Sequence, residues 1–196
     1  MRVLCIGDSL TEGDYGIRNT RCVPNVHKMN YPYFLSLTTG CETTNFGYCG
    51  YTSSLLLDVY KKENMSSKGY DIAIIILGTN GGLGNDEQGN KDYDELVKLV
   101  LKQNPSIKLY ICTCPHVTEN SSFSNCGYID RTKPANEFIR TYVKENNYNL
   151  IDLDQCPYFT EQTEFVMQPH DGLHFCEIGY YALAKFIRDN IPELKI

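Results

Sequence analysis

The chain has 196 residues, of which 42% are hydrophobic and 21% are charged, and its formal net charge is −6 at pH 7. This length suffices for one well-buried core and is short for two, so we expect a single domain over residues 1–196. The acidic balance, with no cluster of basic residues, argues against nucleic acid as a partner. A membrane span is also excluded, because no apolar stretch approaches the roughly 18 residues that cross a bilayer.

The N terminus and the cysteines bear on the cellular compartment. An apolar strand pattern begins at Arg2 or Val3, so we expect no signal peptide here, although secretion of a processed form stays open. The nine cysteines are an odd and scattered set, and Cys5, Cys112 and Cys114 fall in apolar strand patterns, where cysteine is typical of a small buried side chain. We therefore expect a reducing, cytoplasmic setting rather than a disulfide framework.

Short apolar segments alternate along the chain with stretches of helical spacing. The pattern predicts five strands, at 3–6, 43–46, 72–77, 109–112 and 150–153. Strands that alternate with helices indicate an α/β protein whose parallel sheet is covered on both faces, a three-layer α/β/α sandwich. The apolar faces predicted for the helices are Tyr33, Phe34 and Leu37; Leu55, Leu56, Val59 and Tyr60; Leu96, Leu99 and Val100; Phe138, Ile139, Tyr142 and Val143; and Ile178, Tyr181, Ala182, Ala184, Lys185 and Ile187.

Glycine-bearing turns follow the first three predicted strands, at 7–9, 47–50 and 78–80. Because the carboxyl ends of parallel strands meet at one edge of a sheet, we expect these turns to lie close together. Asp171 and His174 precede the last helix, where a loop would return them to the same edge. Two longer loops that also leave strand ends are expected to shape a substrate cleft, namely 81–92 and 115–131.

The residues at this edge supply the groups of a serine hydrolase, in the chain order Ser, Asp, His. A serine hydroxyl is a weak nucleophile until a base takes its proton, and the base works best when a third group orients it. Ser9 is the predicted nucleophile, His174 the base and Asp171 the residue that orients the imidazole. For the oxyanion of acyl transfer, the predicted donors are the backbone N–H groups of Ser9 and Gly50 and the side-chain amide of Asn80.

Four sequence blocks carry these residues: GDSLTEG at 7–13, NFGYCGYTS at 45–53, GTN at 78–80 and DGLH at 171–174. Together they resemble the SGNH, or GDSL, hydrolase superfamily, from the first strand to the last helix. The resemblance implies a flavodoxin-like fold with five parallel strands, and ester hydrolysis that needs neither a metal nor a cofactor. One departure is Gly81, since the third block commonly continues with an Asp that ties neighbouring loops together. The bracing of the preceding asparagine is therefore in question.

The other histidines and a cysteine pair have different interpretations. His27 and His116 lie in predicted loops with no carboxylate at a useful spacing, so a surface or hydrogen-bonding role is expected. His170 and His174 have the four-residue spacing of helical metal ligands, but a nearby proline and glycine indicate a loop, and no third ligand is evident. The Cys-Thr-Cys segment at 112–114 lacks the spacing of a redox or zinc pair. We therefore predict no metal site.

These observations predict a serine esterase whose partner is a small-molecule ester. An acetyl group on a carbohydrate or other small alcohol is the favoured substrate, because the loops at the site are polar and no long apolar lid is evident. Alternatives with the same fold are a lysophospholipase and an acyl-thioesterase, and one from another class is a non-catalytic ligand-binding protein. An FMN-binding electron carrier fits less well, because Asp8 and Glu12 would repel a phosphate placed after the first strand.

Overall fold

A five-stranded parallel sheet forms the centre of the protein, which we describe from a computed structural model over residues 1–19 and 28–195. Its strands are β1 (Arg2–Gly7), β2 (Glu42–Gly47), β3 (Ile72–Ile76), β4 (Lys108–Cys112) and β5 (Asn149–Ile151). They lie in the order β2-β1-β3-β4-β5, and each adjacent pair is parallel. This order is flavodoxin-like, as predicted. The last strand is shorter than predicted, because Leu153 already belongs to a 3-10 helix.

The third strand is typical of a strand buried on both faces. Its sequence, Ile-Ala-Ile-Ile-Ile, is buried at every position and is mostly β-branched, which favours extended backbone. The helices that cover the sheet are α1 (Ser9–Glu12), α2 (Tyr31–Thr39), α3 (Ser53–Lys62), α4 (Glu87–Gln103), α5 (Ile129–Asn146), α6 (Glu164–Met167) and α7 (Glu177–Asn190).

Side chains of β1 alternate between two hydrophobic cores, one on each face of the sheet. Val3 and Cys5 pack in one core with residues of α2 and α7, whereas Leu4 and Ile6 pack in the other with residues of α3, α4 and α5. This alternation follows from the two-residue repeat of an extended strand. The predicted α/β/α sandwich is therefore confirmed.

The buried faces of three helices differ from the predicted ones. In α2, Leu35 is buried whereas Leu37 is 65% exposed, and in α7, Leu183 is buried whereas Tyr181 is exposed. Two neighbouring stripes of these helices are apolar at helical spacing, and packing on the sheet, which periodicity does not reveal, decides which stripe is buried. The predicted core residues that the structure places at the surface are Tyr33, Leu37, Leu55, Ile178 and Tyr181.

Part of the predicted loop 81–92 is helical. α4 already begins at Glu87, because the Asp86 side chain accepts a hydrogen bond from the Gly89 N–H at 2.9 Å and so caps the helix. The predicted loop 115–131 likewise ends early, where α5 begins. Both loops are therefore shorter than expected.

The two longest helices, α4 and α5, have 17 and 18 residues. Both carry charged side chains along their length. Among the described residues, no helix combines the length and the apolar character needed to cross a membrane.

The cysteines are mostly free. Within residues 1–19 and 28–195, seven cysteines carry free thiols, and Cys5, Cys112 and Cys114 are buried as predicted. Cys49 is disulfide-bonded, whereas the sequence analysis predicts cysteines that are all reduced.

The strand order reverses at β1, because β2 lies on one side of it and β3 on the other. In open α/β sheets, ligands bind in the crevice outside the carboxyl ends of the strands where the order reverses. The segments 7–9 and 78–80 follow β1 and β3, so both lie at this crevice.

Candidate active site

Ser9 follows β1 in a turn that requires glycine. A Cβ atom at Gly7 would lie 2.2 Å from the carbonyl oxygen of Ile76, so only glycine allows β1 and β3 to approach this closely. Asp8 then caps the short helix α1, since its Oδ1 atom accepts a hydrogen bond from the Leu10 N–H at 3.1 Å. Ser9 is the first residue of this helix and is only 2% exposed.

His174 and Asp171 meet Ser9 at this point. The Nε2 atom of His174 lies 2.9 Å from Ser9 Oγ, and its Nδ1 atom lies 2.7 Å from Asp171 Oδ2. All three side chains are buried. The structure thus brings the three predicted residues into one continuous series of polar contacts.

The Asp171 carboxylate is held by several donors. Its Oδ1 atom accepts hydrogen bonds from the backbone N–H groups of Leu173 and His174, at 3.1 and 2.9 Å, and its Oδ2 atom accepts one from Asn125 Nδ2 at 2.9 Å. Burial by itself would raise the pKa of Asp171, but the contacts with the His174 ring and the two backbone N–H groups lower it to about 2. The carboxylate is therefore ionised at neutral pH.

Asp8 carries a second buried carboxylate with the opposite behaviour. Burial raises the pKa of Asp8 to about 6, although hydrogen bonds from Leu10 and Thr79 and the proximity of His174 oppose the rise. The pKa of Asp8 therefore lies above the ordinary value for an aspartic acid and that of Asp171 lies below it. Of these two carboxyl groups, Asp171 is the one that contacts the imidazole directly.

The turn after β2 presents Gly50. The Tyr51 N–H donates to the Tyr48 carbonyl at 3.2 Å, and Gly50 has a φ of +78°, a conformation that favours glycine. Glu12 of α1 holds this turn, because its Oε2 atom accepts a hydrogen bond from the Cys49 N–H at 2.5 Å. The peptide between Tyr48 and Cys49, in the turn that carries Gly50, is thus tied to the helix that begins with Ser9.

Asn80 is braced by the same turn. Its Nδ2 atom donates a hydrogen bond to the Tyr51 carbonyl at 3.1 Å. A second turn around it is closed by the Gly81 N–H, which donates to the Gly78 carbonyl at 3.0 Å. The bracing that Gly81 put in question is therefore provided by the backbone of Tyr51. An amide group has two N–H donors, and this bond uses one of them.

Two contacts of the site were not predicted from the sequence. Asn125 bonds Asp171 across 46 positions, and Glu12 bonds Cys49 across 37 positions. Neither pair has a local spacing rule that would predict its contact. Only the folded backbone brings the partners together.

His116 lies in a loop, as predicted, and Glu164 Oε2, from a residue distant in the sequence, lies 3.6 Å from its Nε2 atom. His170 is exposed at the surface, and His27 lies outside the described residues. Within residues 1–19 and 28–195, no group of three or more His, Cys, Asp or Glu side chains is arranged to hold a metal ion.

A serine hydroxyl, an imidazole and a carboxylate in series, at the carboxyl edge of a flavodoxin-like sheet, are typical of a serine hydrolase. Comparison with protein families matches residues 5–182 to the GDSL-like lipase/acylhydrolase family. The chain belongs to this family and is a carboxylic ester hydrolase. A search of curated protein sequences finds no match.

Solved structures of similar fold include several esterases. Est24, a carbohydrate acetylesterase from Sinorhizobium meliloti, superposes with a TM-score of 0.75 at 19% identity, covering 99% of each chain. The acetyl xylan esterase AlAXEase has a TM-score of 0.69 at 21% identity, covering 97% of this chain and 100% of its own. A lipase/acylhydrolase from Enterococcus faecalis has a TM-score of 0.68 at 20% identity, and the match covers 99% of this chain and 97% of that protein. At these identities the likeness concerns the fold.

Proposed function

We propose that the protein hydrolyses small acyl esters through an acyl-Ser9 intermediate. The observation that carries this proposal is the unbroken series from Ser9 Oγ to His174 Nε2, at 2.9 Å, and from His174 Nδ1 to Asp171 Oδ2, at 2.7 Å. Both separations are short enough for proton transfer and for orientation of the ring. In this assignment Ser9 is the nucleophile, His174 the general base and acid, and Asp171 the residue that orients the ring.

The first half of the reaction forms the acyl-enzyme. Ser9 Oγ attacks the carbonyl carbon of the ester, and its proton passes to His174 Nε2. The resulting imidazolium is stabilised by Asp171, whose low pKa keeps it anionic. The bond to the alcohol oxygen then breaks, and Nε2 returns the proton to the departing alcohol.

The oxyanion of this step needs N–H donors. The proposed donors are the backbone N–H groups of Ser9 and Gly50 and the side-chain amide of Asn80. Ser9 begins α1, where the first N–H groups have no partner within the helix. Gly50 and Asn80 belong to turns that are linked through the Tyr51 carbonyl, so the two would move as one unit.

Water completes the reaction in the second half. His174 takes a proton from the water, whose oxygen attacks the acyl carbon, and the bond to Ser9 Oγ breaks. The proton then returns to Ser9, and the carboxylic acid is released. These steps need no group beyond the side chains and N–H groups already described.

The proposed substrate is an acetyl ester of a carbohydrate or other small alcohol. Ser9 and His174 are almost fully buried, which favours a small acyl group. The segments 81–86 and 118–125 after the strand ends are rich in Gly, Asn and Ser, which favours a polar alcohol. Two proteins of similar fold are named as a carbohydrate acetylesterase and an acetyl xylan esterase, which supports the same choice.

A chain-length series of nitrophenyl esters tests this substrate class. We expect kcat/KM to be highest for the acetyl ester and to fall at least about tenfold for the decanoyl ester. A preference for decanoyl would favour the lysophospholipase alternative, and faster cleavage of acyl thioesters would favour the thioesterase. Cleavage of no ester would favour the ligand-binding alternative. Acetylated sugars and lysolipids, assayed next, would identify the alcohol.

A further inference from the structure

The segment between β4 and α5 is bonded along its length to the loop that carries Asp171. The Thr118 N–H donates to the Gly172 carbonyl at 3.0 Å, and the Asn125 N–H donates to the Asp171 carbonyl at 3.2 Å. Gln168 Nε2 donates to the carbonyl of His116 at 2.8 Å, at the start of the segment. Two backbone bonds and the Gln168 side chain therefore hold this segment against the Asp171 loop independently of the Asn125 side chain.

The side chain of Asn125 makes a different contact. Its Nδ2 atom donates to Asp171 Oδ2 at 2.9 Å, and this is the oxygen that lies 2.7 Å from His174 Nδ1. Asn125 is 6% exposed, so the bond is shielded from water. The other oxygen of the carboxylate is occupied by two backbone N–H groups. Donors on both oxygens fix the rotation of the carboxylate about its Cβ–Cγ bond.

We propose that Asn125 is a positioning residue, which holds Asp171 Oδ2 in line with His174 Nδ1 and thereby orients the imidazole toward Ser9. This inference rests on the proposed roles of Ser9, His174 and Asp171. A small misplacement of a reacting group costs up to about 10²-fold in rate, so the orientation of this carboxylate matters for kcat.

The chemistry of the amide suits this role. A lysine or arginine in its place would donate a hydrogen bond to Asp171 but would also neutralise the charge that stabilises the imidazolium. A carboxylic acid would add a second negative charge beside the first. The neutral amide of Asn125 orients Oδ2 and leaves the charge of Asp171 for His174.

Asn136 offers a matched control. It is a buried asparagine whose amide also braces the chain, since Oδ1 accepts from the Cys114 N–H at 2.7 Å and Nδ2 donates to the Cys114 carbonyl at 3.0 Å. These bonds involve backbone groups and no side chain of the proposed series. Asn136→Ala therefore reports the effect of losing a buried structural amide.

The test compares Asn125→Ala and Asn125→Leu with Asn136→Ala. For the two Asn125 variants we expect kcat to fall about 10- to 100-fold, with KM within about twofold of the parent. The rate at which a fluorophosphonate labels Ser9 should fall in parallel, because labelling depends on the activated hydroxyl and on no particular ester. Asn136→Ala should lower the denaturation midpoint and leave both rates within about twofold.

Several results would overturn the inference. If the Asn125 variants kept the parent labelling rate, or lost activity only in proportion to unfolded protein as Asn136→Ala would, the residue would be structural. Failure of both variants to fold would also contradict it, because backbone bonds are argued to hold the segment without this side chain. A parent protein whose Ser9 took no label would instead refute the proposed function itself.

Discussion

The hydroxyl oxygen of Ser9 and the Nε2 atom of His174 lie 2.9 Å apart, although 165 positions separate the two residues in the chain. Ser9 is positioned by the turn after β1, and His174 by the loop before α7. Because both residues are buried, the proton that passes between them in the proposed reaction does not have to cross bulk water. The first prediction concerns this pair.

Ser9→Ala and His174→Ala should each reduce kcat for acetyl ester hydrolysis by about 10⁵-fold or more, because each removes a group that the acylation step needs. Far-ultraviolet circular dichroism should show that both variants are folded. Ser67→Ala is the control, since Ser67 is a buried serine whose hydroxyl bonds the Val100 carbonyl on α4. It should lose about 1 kcal/mol of unfolding free energy and keep its activity. Equal activity of Ser9→Ala and the parent would remove Ser9 from the mechanism.

Asp171→Asn should lower kcat less than Ser9→Ala does, by about 10⁴-fold. The asparagine carbonyl can face either His174 Nδ1 or the two backbone N–H groups that Oδ1 now accepts, but not both. If the asparagine carbonyl accepts from His174 Nδ1, the backbone N–H groups of Leu173 and His174 lose their acceptor. Steady-state kinetics against Ser9→Ala measure this difference. A loss as large as that of Ser9→Ala would show that orientation of the ring is as important as the nucleophile.

Asn80→Ala should lower kcat by about 10²- to 10³-fold with little change in KM, as expected for loss of a proposed oxyanion donor. Asn90 supplies the control, because its side chain bonds the backbone N–H and carbonyl of Gly84, at 2.8 and 3.0 Å. Asn90→Ala should change stability more than kcat. If the two variants lost activity equally, Asn80 would have a structural role in its turn and not a role at the oxyanion.

Glu12→Ala should lower kcat about tenfold, because the Gly50 turn loses the carboxylate that accepts from the Cys49 N–H at 2.5 Å. Glu12→Gln keeps an acceptor oxygen and should retain more activity. Burial raises the pKa of Glu12, so the charge-assisted bond weakens at a less acidic pH than for an exposed Glu. Glu63→Gln is the control, since Glu63 bonds the Tyr48 hydroxyl, at 2.7 Å, and not the backbone of the turn. Activity of Glu12→Ala equal to that of Glu63→Gln would contradict this role.

Asp8 should make the stability of the protein pH-dependent. Its folded pKa of about 6 lies above the ordinary value of 3.8, so the folded state binds more protons than the unfolded state between these values. The free energy of unfolding therefore falls by about 3 kcal/mol as the pH rises through this window, and Asp8→Asn lacks this dependence. Denaturant titrations between pH 4 and pH 7 measure the difference. Parallel curves for the parent and the variant would show that burial does not raise this pKa.

Local sequence was sufficient to predict the five strands and the site residues within the four blocks. Each strand and each block is a contiguous run of residues, so its pattern can be recognised without knowledge of the fold. The cap at Asp86 also has a local signal, since Asp is a preferred residue directly before the first turn of a helix. The bonds from Asn125 to Asp171 and from Glu12 to Cys49 were not predictable, because they join residues that only the sheet brings together. Likewise, Leu35 and Leu37 both fit an apolar helical stripe, and contact with the sheet decides which is buried.

The central claim is that Ser9 is a nucleophile activated by His174, and covalent labelling tests it directly. The protein is incubated with a fluorophosphonate, and the modified residue is located by peptide mass spectrometry. We expect one adduct, on Ser9, and at least about a 10³-fold slower reaction in His174→Ala. An unmodified Ser9, or a labelling rate that His174→Ala leaves unchanged, would contradict the account.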